Sequence, residues 1–594
     1  MKEGVEKVCG VSKCVRRNHA WWWNGLDVRN AIKEKRTAFA KWRRTRTVED
    51  FESYKLLKRN AKRVIAKAID KEAKEQSRTL MEMSPSDRMK QTFRLAKAKA
   101  KDKRDVASIK CVKNKDGELK VTIKDRLDVW KGYAEELLNK ENAWVNDLVS
   151  TVNEGPVKAI DALEIRNAIK GMKHGKAPGP SGIPIEVIKI CGCEDLLVNA
   201  ANAMMDGRAM PESWTKSILI PLYKGKGDAK ECSNYRSVKL LEHGMKVIER
   251  VFERRLRQKV DINEMQLGFM PGRGTIDGIF AIRQLMEKFR AVDRRLYMVF
   301  VDLEKAFDRV PRDLIWWALR RKGVIEREIA AIAEMYRSPQ TAVRLDGEFS
   351  NYFTVNVGVH QGSILSPLLF IIVVDEITKH LKTDLREFLY ADDLVLIGDS
   401  WEEVAGKYVS WKSALESKGL KVNVNKTKAM SLGGKLKAVD ARKDPCAVCG
   451  KRVMRNAIQC TQCEKWVHKR CTKIRGSITR VQNFECSRCR GELIERLNDP
   501  STIRLGEDDI EVVNGFSYLG DTISTDGEAS TAVTARIRSA WKKFKEISGM
   551  LCVKNVSLQT KGELYKACVR SVMCYGAECW ALKRKMSTDC KRQK

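Results

Sequence analysis

Two adjacent carboxylates, Asp392 and Asp393, sit inside the apolar run Phe388-Leu389-Tyr390-Ala391-Asp392-Asp393-Leu394-Val395, which reads as a buried β-hairpin. Ionised Asp is costly to bury unless a cation is paired with it. Well upstream, Val299-Phe300-Val301-Asp302-Leu303 carries one more carboxylate at the end of a strand-like segment, and Phe307-Asp308 follow where a helix can begin. Three carboxylates on two strands are the donor set of a two-metal site. Such a site holds Mg²⁺ ions roughly 3.5–4 Å apart and clamps the attacking and leaving oxygens of an in-line phosphoryl displacement. The reaction class this predicts is nucleotidyl transfer.

A second constellation has metal-ligand spacing. Cys446-x2-Cys449-x10-Cys460-x2-Cys463-x4-His468-x2-Cys471-x14-Cys486-x2-Cys489 offers eight donors in pairs, enough for two tetrahedral Zn²⁺ sites. With every donor used and no open position, both zincs are expected to be structural. The remaining cysteines of the 18 form no disulfide framework, which suits a reducing compartment.

Elements must position these groups, and the chain is long enough for several cores. It has 594 residues, with 113 Lys+Arg against 77 Asp+Glu and a formal charge of +36. A polyanion is the natural partner of such a chain. There is no apolar run long enough to span a bilayer and no signal-peptide core, so an intracellular protein without a membrane partner is expected. Residues 31–77 have apolar positions at helical spacing among Lys, Arg, Ala and Glu, which predicts long basic helices. Strands are expected at Ser217–Tyr223 and Arg295–Asp302, helices at Arg312–Lys322 and Glu326–Tyr336, and a hairpin at Thr341–Val357. A helix from about Pro367 to Leu381, the carboxylate hairpin, a helix across Glu402–Lys418 and a strand near Lys421–Asn425 complete the series. That order suits a ferredoxin-like α+β sheet, the layout of a polymerase palm.

With these residues assembled, the chain resembles the reverse transcriptases of non-LTR (LINE-type) retrotransposons, in order from about Leu163 to Lys428 and again over Gly515–Leu582. The resemblance is carried by Gly175-Lys176-Ala177-Pro178-Gly179-Pro180, Pro221-Leu222-Tyr223-Lys224-Gly225-Lys226-Gly227-Asp228, Asn234-Tyr235-Arg236 and Gln266-Leu267-Gly268-Phe269. It continues through Val301-Asp302-Leu303-Glu304-Lys305-Ala306-Phe307-Asp308, Gly358-Val359-His360-Gln361-Gly362-Ser363, Tyr390-Ala391-Asp392-Asp393 and Gly419-Leu420-Lys421-Val422-Asn423. It implies an RNA-directed DNA polymerase with two Mg²⁺ ions held by Asp302, Asp392 and Asp393, acting on an RNA template, a DNA primer or target, and dNTPs. It further implies that Phe307 lies under the sugar of the incoming nucleotide and excludes a 2′-hydroxyl. Gln361 would contact that nucleotide, Arg236 and Lys224 would hold its triphosphate, and Lys426 would protonate the leaving pyrophosphate. Two positions depart from the family: Ser181 stands where Pro-Asp-Gly is usual, and Ser237-Val238-Lys239 stands where Pro-Ile-Ser is usual.

The cysteine-rich segment resembles a PHD finger, with Trp466 and Phe484 at that family's aromatic positions. Its cross-brace would assign Cys446, Cys449, His468 and Cys471 to one zinc and Cys460, Cys463, Cys486 and Cys489 to the other. PHD fingers often read histone tails, but only Trp466 suits an aromatic cage here. The basic face of the segment, from Lys451 through Lys469 to Arg480, favours nucleic acid or a scaffolding role over a basic tail.

The expected organisation is a basic, mostly helical N-terminal region (1–150), fingers and palm (151–432), a small zinc-stabilised PHD-like insertion (444–491), and a segment (505–594) holding the end of the palm, a primer-grip-like stretch and a helical thumb. The expected fold is thus α+β, a right-hand polymerase. The nucleus is the expected site of action on target DNA. No endonuclease constellation is visible, and the closeness of both ends to the polymerase suggests a fragment or a truncated copy. Two alternatives stay open: an RNA-directed RNA polymerase, and a catalytically idle element-derived protein that binds nucleic acid or chromatin through the finger.

Overall fold

A computed structural model describes residues 25–84, parts of 87–94, 109–381, 386–432, parts of 457–486, 502–552 and 557–580. Its central feature is a six-stranded sheet. The spatial order is Thr502–Leu505, Asp508–Val512, Lys428–Leu432, Leu296–Val301, Asp393–Gly398 and Glu387–Tyr390. Leu296–Val301, apolar at five of its six positions, lies inside the sheet and is buried almost throughout. Pairs are antiparallel except Lys428–Leu432 with Asp508–Val512. Four of these strands, joined by helices that include Ser366–Ile377 and Trp401–Ser417, make the split βαβ arrangement expected for a palm.

The Ser366–Ile377 helix is apolar around its whole circumference and accordingly lies in the core. The Trp401–Ser417 helix starts at Ser400, whose hydroxyl accepts from the Glu403 backbone N–H, and it buries Val404, Tyr408, Trp411 and Leu415.

Two expectations change. The hairpin predicted at Thr341–Val357 does not join the palm; Gln340–Leu345 runs parallel to Lys216–Tyr223 in a separate five-stranded sheet, with Tyr235–Leu240 on the other side. Local alternation marks a strand without naming the sheet that receives it. The strand predicted near Lys421–Asn425 forms instead at Lys428–Leu432, and the earlier stretch makes only an isolated bridge from Val422 to Leu303.

The helix Ile123–Asn139, drawn from sequence into the N-terminal region, packs Leu127, Trp130 and Ala134 against Leu219, Tyr235 and Val343 of this second sheet. Residues 109–139 therefore share the core of the fingers. The helices Leu26–Thr45 and Val48–Glu82 form a hairpin closed by Phe39, Trp42, Phe51 and Tyr54.

Past the palm, Gly515–Tyr518 and Asp521–Ser524 pair around the turn Leu519-Gly520, where both residues have positive φ, as a two-residue hairpin of this hand requires. Phe516 stacks on Phe300 of the palm with ring centroids 4.5 Å apart. A buried ion pair, Arg283 to Asp521 at 2.9 Å, ties this hairpin to the helix Thr275–Ala291. The helices Ser530–Leu551 and Leu558–Leu564 then pack around Ile547, Met550, Leu564 and Val569. Among the described residues no helix is long and apolar enough to cross a membrane.

Candidate active site

The palm register brings the carboxylates together. Leu394 pairs with Val301 in antiparallel strands, so Asp393 stands opposite Asp302 one step further along. Asp393 also pairs with Tyr390, leaving Ala391 and Asp392 as the hairpin turn, with Ala391 at φ 61°. All three carboxylates thus occupy one end of the sheet.

Their environment is electrostatically crowded. Burial and the Asp302 charge raise the Asp392 carboxyl. Burial, with Asp392 and Asp302 as neighbours, pushes Asp393 up to about 6. Like charges that cannot ionise together without cost are what a divalent cation relieves. Among the described residues no group of three or more His, Cys, Asp or Glu stands so as to hold a metal ion. Asp302 is instead turned toward Lys426, whose ammonium lies 3.1 Å from Oδ2. Lys426 is delivered there by the turn in which its own N–H donates to the Asn423 carbonyl, while the Asn423 N–H donates to the Asp302 carbonyl.

Across from the acidic end stand Lys224 and Arg236, at the tip of the strand pair Lys216–Tyr223 and Tyr235–Leu240. The Lys224 ammonium donates to the Ser233 carbonyl at 2.9 Å, and its pKa is lowered by burial and by the charges of Lys426 and Arg236. Arg236 and Lys426 in turn act on Asp392. Three cations therefore converge on the space beside three carboxylates, a geometry suited to a polyphosphate.

Phe307 lies in the first turn after Asp302, half-buried, its ring stacked on Phe370 at 4.3 Å and edge-on to Phe269 at 6.3 Å. The Gln361 carboxamide donates to Asp308 Oδ1 at 2.6 Å. Asp302, Asp392, Asp393, Lys426, Lys224, Arg236, Phe307 and Gln361, all named from sequence, thus fall in one region.

Sequence reasoning left four contributors without a role. Gln266 is buried, and its side-chain oxygen accepts from the N–H groups of Gly268 and Ala391, at 2.9 and 3.0 Å, which fixes the carboxylate turn. Gly268 permits that approach, since a Cβ there would fall 2.3 Å from the Ala391 nitrogen. Asp308 and Lys239 are buried beneath Gln361. For Lys239 the signal was a charged residue inside an apolar stretch, Val238-Lys239-Leu240; Asp308, among Glu304, Lys305 and Arg309, gave none.

Of the eight cysteine and histidine donors, Cys446, Cys449, Cys463 and Cys489 lie outside the described residues. Cys460, His468, Cys471 and Cys486 are described, with the short strands Ala457–Gln459 and Trp466–His468 paired. His468 Nδ1 lies 3.9 Å from Cys471 Sγ, and the Cys486 N–H donates to Cys460 Sγ at 3.3 Å.

The comparisons with known proteins agree with this geometry. Residues 224–490 match the family described as reverse transcriptase (RNA-dependent DNA polymerase). The chain is 27% identical over 287 residues to a retrovirus-related Pol polyprotein from the type-1 retrotransposable element R2 of Popillia japonica, covering 45% of this chain and 39% of that protein. It is 28% identical over 251 residues to the transposon TX1 uncharacterized 149 kDa protein of Xenopus laevis, covering 39% of this chain and 19% of that protein. It is 26% identical over 260 residues to the probable RNA-directed DNA polymerase from transposon BS of Drosophila melanogaster, covering 41% and 28%. The chain thus spans well under half the length of each of these relatives. The motifs from Lys224 to Asn423 and the register of the carboxylates thus lie where residues 224–490 match the reverse transcriptase (RNA-dependent DNA polymerase) family.

Proposed function

We propose that this chain is the RNA-directed DNA polymerase of a non-LTR retrotransposon, extending a primer 3′-hydroxyl on an RNA template with dNTPs. The observation that carries the reading is the strand register that sets Asp302 against Asp393, with Lys224, Arg236 and Lys426 across from them. Asp302, Asp392 and Asp393 would hold two Mg²⁺ ions. Bound there, the metals would lower the pKa of the primer hydroxyl and neutralise charge at the α-phosphate. Mg²⁺ keeps waters and takes substrate phosphates as ligands in such sites, so three carboxylates without a closed cage fit it.

Lys224 and Arg236 orient the triphosphate. Lys426, more than half exposed beside Asp302, holds a proton within reach of a leaving pyrophosphate. Phe307, its ring backed by Phe370, would meet a 2′-hydroxyl and so favour dNTPs over the NTPs of an RNA polymerase. The similarity to retrotransposon proteins supports a template of RNA and a primer or target of DNA, and the nucleus is proposed as the site of action.

The insertion is proposed to be a PHD-type finger with two structural zincs. Two donors on one tetrahedral zinc lie roughly 3.5 Å apart, close to the spacing of His468 and Cys471. An N–H donated to Cys460 Sγ suits a thiolate held by metal. Its basic surface favours nucleic acid over a histone tail.

The test is primer extension on an RNA template with Mg²⁺, offering dNTPs and NTPs separately. Extension with dNTPs that is lost in Asp392→Asn/Asp393→Asn supports the reading. Extension with NTPs alone points to an RNA polymerase, and a folded, inactive wild type points to a binding protein.

A further inference from the structure

The pocket beside Phe307 rests on a buried polar linkage that the polymerase reading above does not use. Gln361 Nε2 donates to Asp308 Oδ1 at 2.6 Å, and Asp308 is 7% exposed. A carboxylate so buried needs a cation nearby. Burial raises the Asp308 carboxyl, and Lys239 is the strongest charge opposing that rise, ahead of Lys305 and Arg309. Lys239 is itself buried, at 3% exposure, on the fingers strand Tyr235–Leu240.

The main chain repeats the connection. The Lys239 N–H donates to the Gln361 carbonyl at 2.7 Å. Gly362 lies so close to the Lys239 carbonyl that a Cβ on it would be 2.3 Å from the oxygen, and its φ of 128° suits glycine. On the other side the Val359 N–H donates to the Phe307 carbonyl at 2.9 Å. The turn carrying Gln361 is thus held between the fingers strand and the segment carrying Phe307. Lys239 stands at one of the positions where this chain departs from its family.

Resting on the polymerase reading, we propose that Asp308 and Lys239 are positioning residues that hold the Gln361 carboxamide in one orientation against the incoming dNTP. An amide can present N–H or C=O from nearly the same shape. By accepting from Nε2, the Asp308 carboxylate selects which face of the amide is turned toward it, and the Lys239 charge, its pKa pushed down to about 7 by burial, favours the ionised carboxylate. The fingers strand and the palm therefore meet at the group that contacts the nucleotide.

The experiment measures KM for dNTP and kcat of the full chain in primer extension, for wild type, Asp308→Ala, Gln361→Ala and the double variant, with thermal melting as the folding control. Asp308→Ala is expected to raise KM about tenfold with a smaller change in kcat, the scale of one charge-assisted hydrogen bond. The double variant is expected to be no worse than Gln361→Ala alone, because Asp308 acts through Gln361. If Asp308→Ala melts early, the isosteric Asp308→Asn carries the same comparison. Lys239→Met, which keeps the stem and removes the charge, is expected to raise KM. Adding Asp308→Asn to it should raise KM no further than Asp308→Asn does alone, because Lys239 acts through Asp308. Losses that add in the double variant, or an unchanged KM in Asp308→Asn, overturn the proposal alone. A wild type without extension overturns the polymerase reading and the proposal with it.

Discussion

Asp392-Asp393 and Asp375-Glu376 look alike in sequence, each an acidic pair inside an apolar run, but the fold treats them in opposite ways. Asp375 takes Lys322 at 2.5 Å and the Asn263 N–H at 3.2 Å, and Glu376 takes Arg321 at 3.1 Å. The protein neutralises that pair by itself. At Asp392 and Asp393 the dominant neighbours are further carboxylates, and burial raises both groups. A buried acidic pair is a site only where the fold withholds its counter-charge, which leaves the charge for a ligand to balance.

The comparison breaks if the two pairs respond alike to neutralisation. Asp392→Asn/Asp393→Asn should cut extension by a factor on the order of 10³ or more while leaving the melting temperature at or above that of wild type. Asp375→Asn should do the reverse. It leaves Lys322 with the longer Glu376 contact at 3.8 Å and the Asp261 carbonyl, and should cost about 2 kcal/mol in chemical denaturation, with activity per folded molecule kept. Asp375→Asn combined with Lys322→Met should recover most of that loss; if it does not, packing rather than charge governs the site.

The acidic end can be sharpened by pH. Asp393 has a folded pKa of about 6 against an ordinary 3.8, so its ionised form destabilises the fold above pH 6 and the effect is gone below 3.8. Asp393→Asn should therefore stabilise the metal-free protein at pH 7, by at most about 3 kcal/mol. That advantage should shrink as pH falls from about 6 to 3.8. A pH-independent difference would mean that the carboxylates do not repel one another.

A smaller effect is expected in the fingers. Ser181 donates both its N–H and its hydroxyl to Glu242, each at 2.6 Å. Restoring the family's acid with Ser181→Asp would set two carboxylates against each other and should cost about 1–2 kcal/mol, relieved by Glu242→Gln. The departure at Ser181 is thus matched by its partner.

Much of the site was legible because its chemistry is local in sequence. A carboxylate ending an apolar strand and a two-residue hairpin turn are each set by a few neighbouring residues. Helices at Arg312–Arg321 and Trp401–Ser417 followed from apolar spacing in the same way. The sheet that receives Gln340–Leu345 was not legible, because strand partners lie far apart in the chain and alternation is the same in either sheet. Nor could the roles of Asp308 and Lys239 be read, since a charge has no meaning before its partner is known.

The sequence by itself determined the reaction class, the order of the elements and the residue types at the acidic end, because these depend on side-chain chemistry and short-range periodicity. Only the tertiary structure decided which acidic pair stays uncompensated, which sheet takes each strand, and that Gln361 is held by Asp308. Those outcomes depend on distances between groups remote in the chain, and burial sets how strongly charges at those distances act.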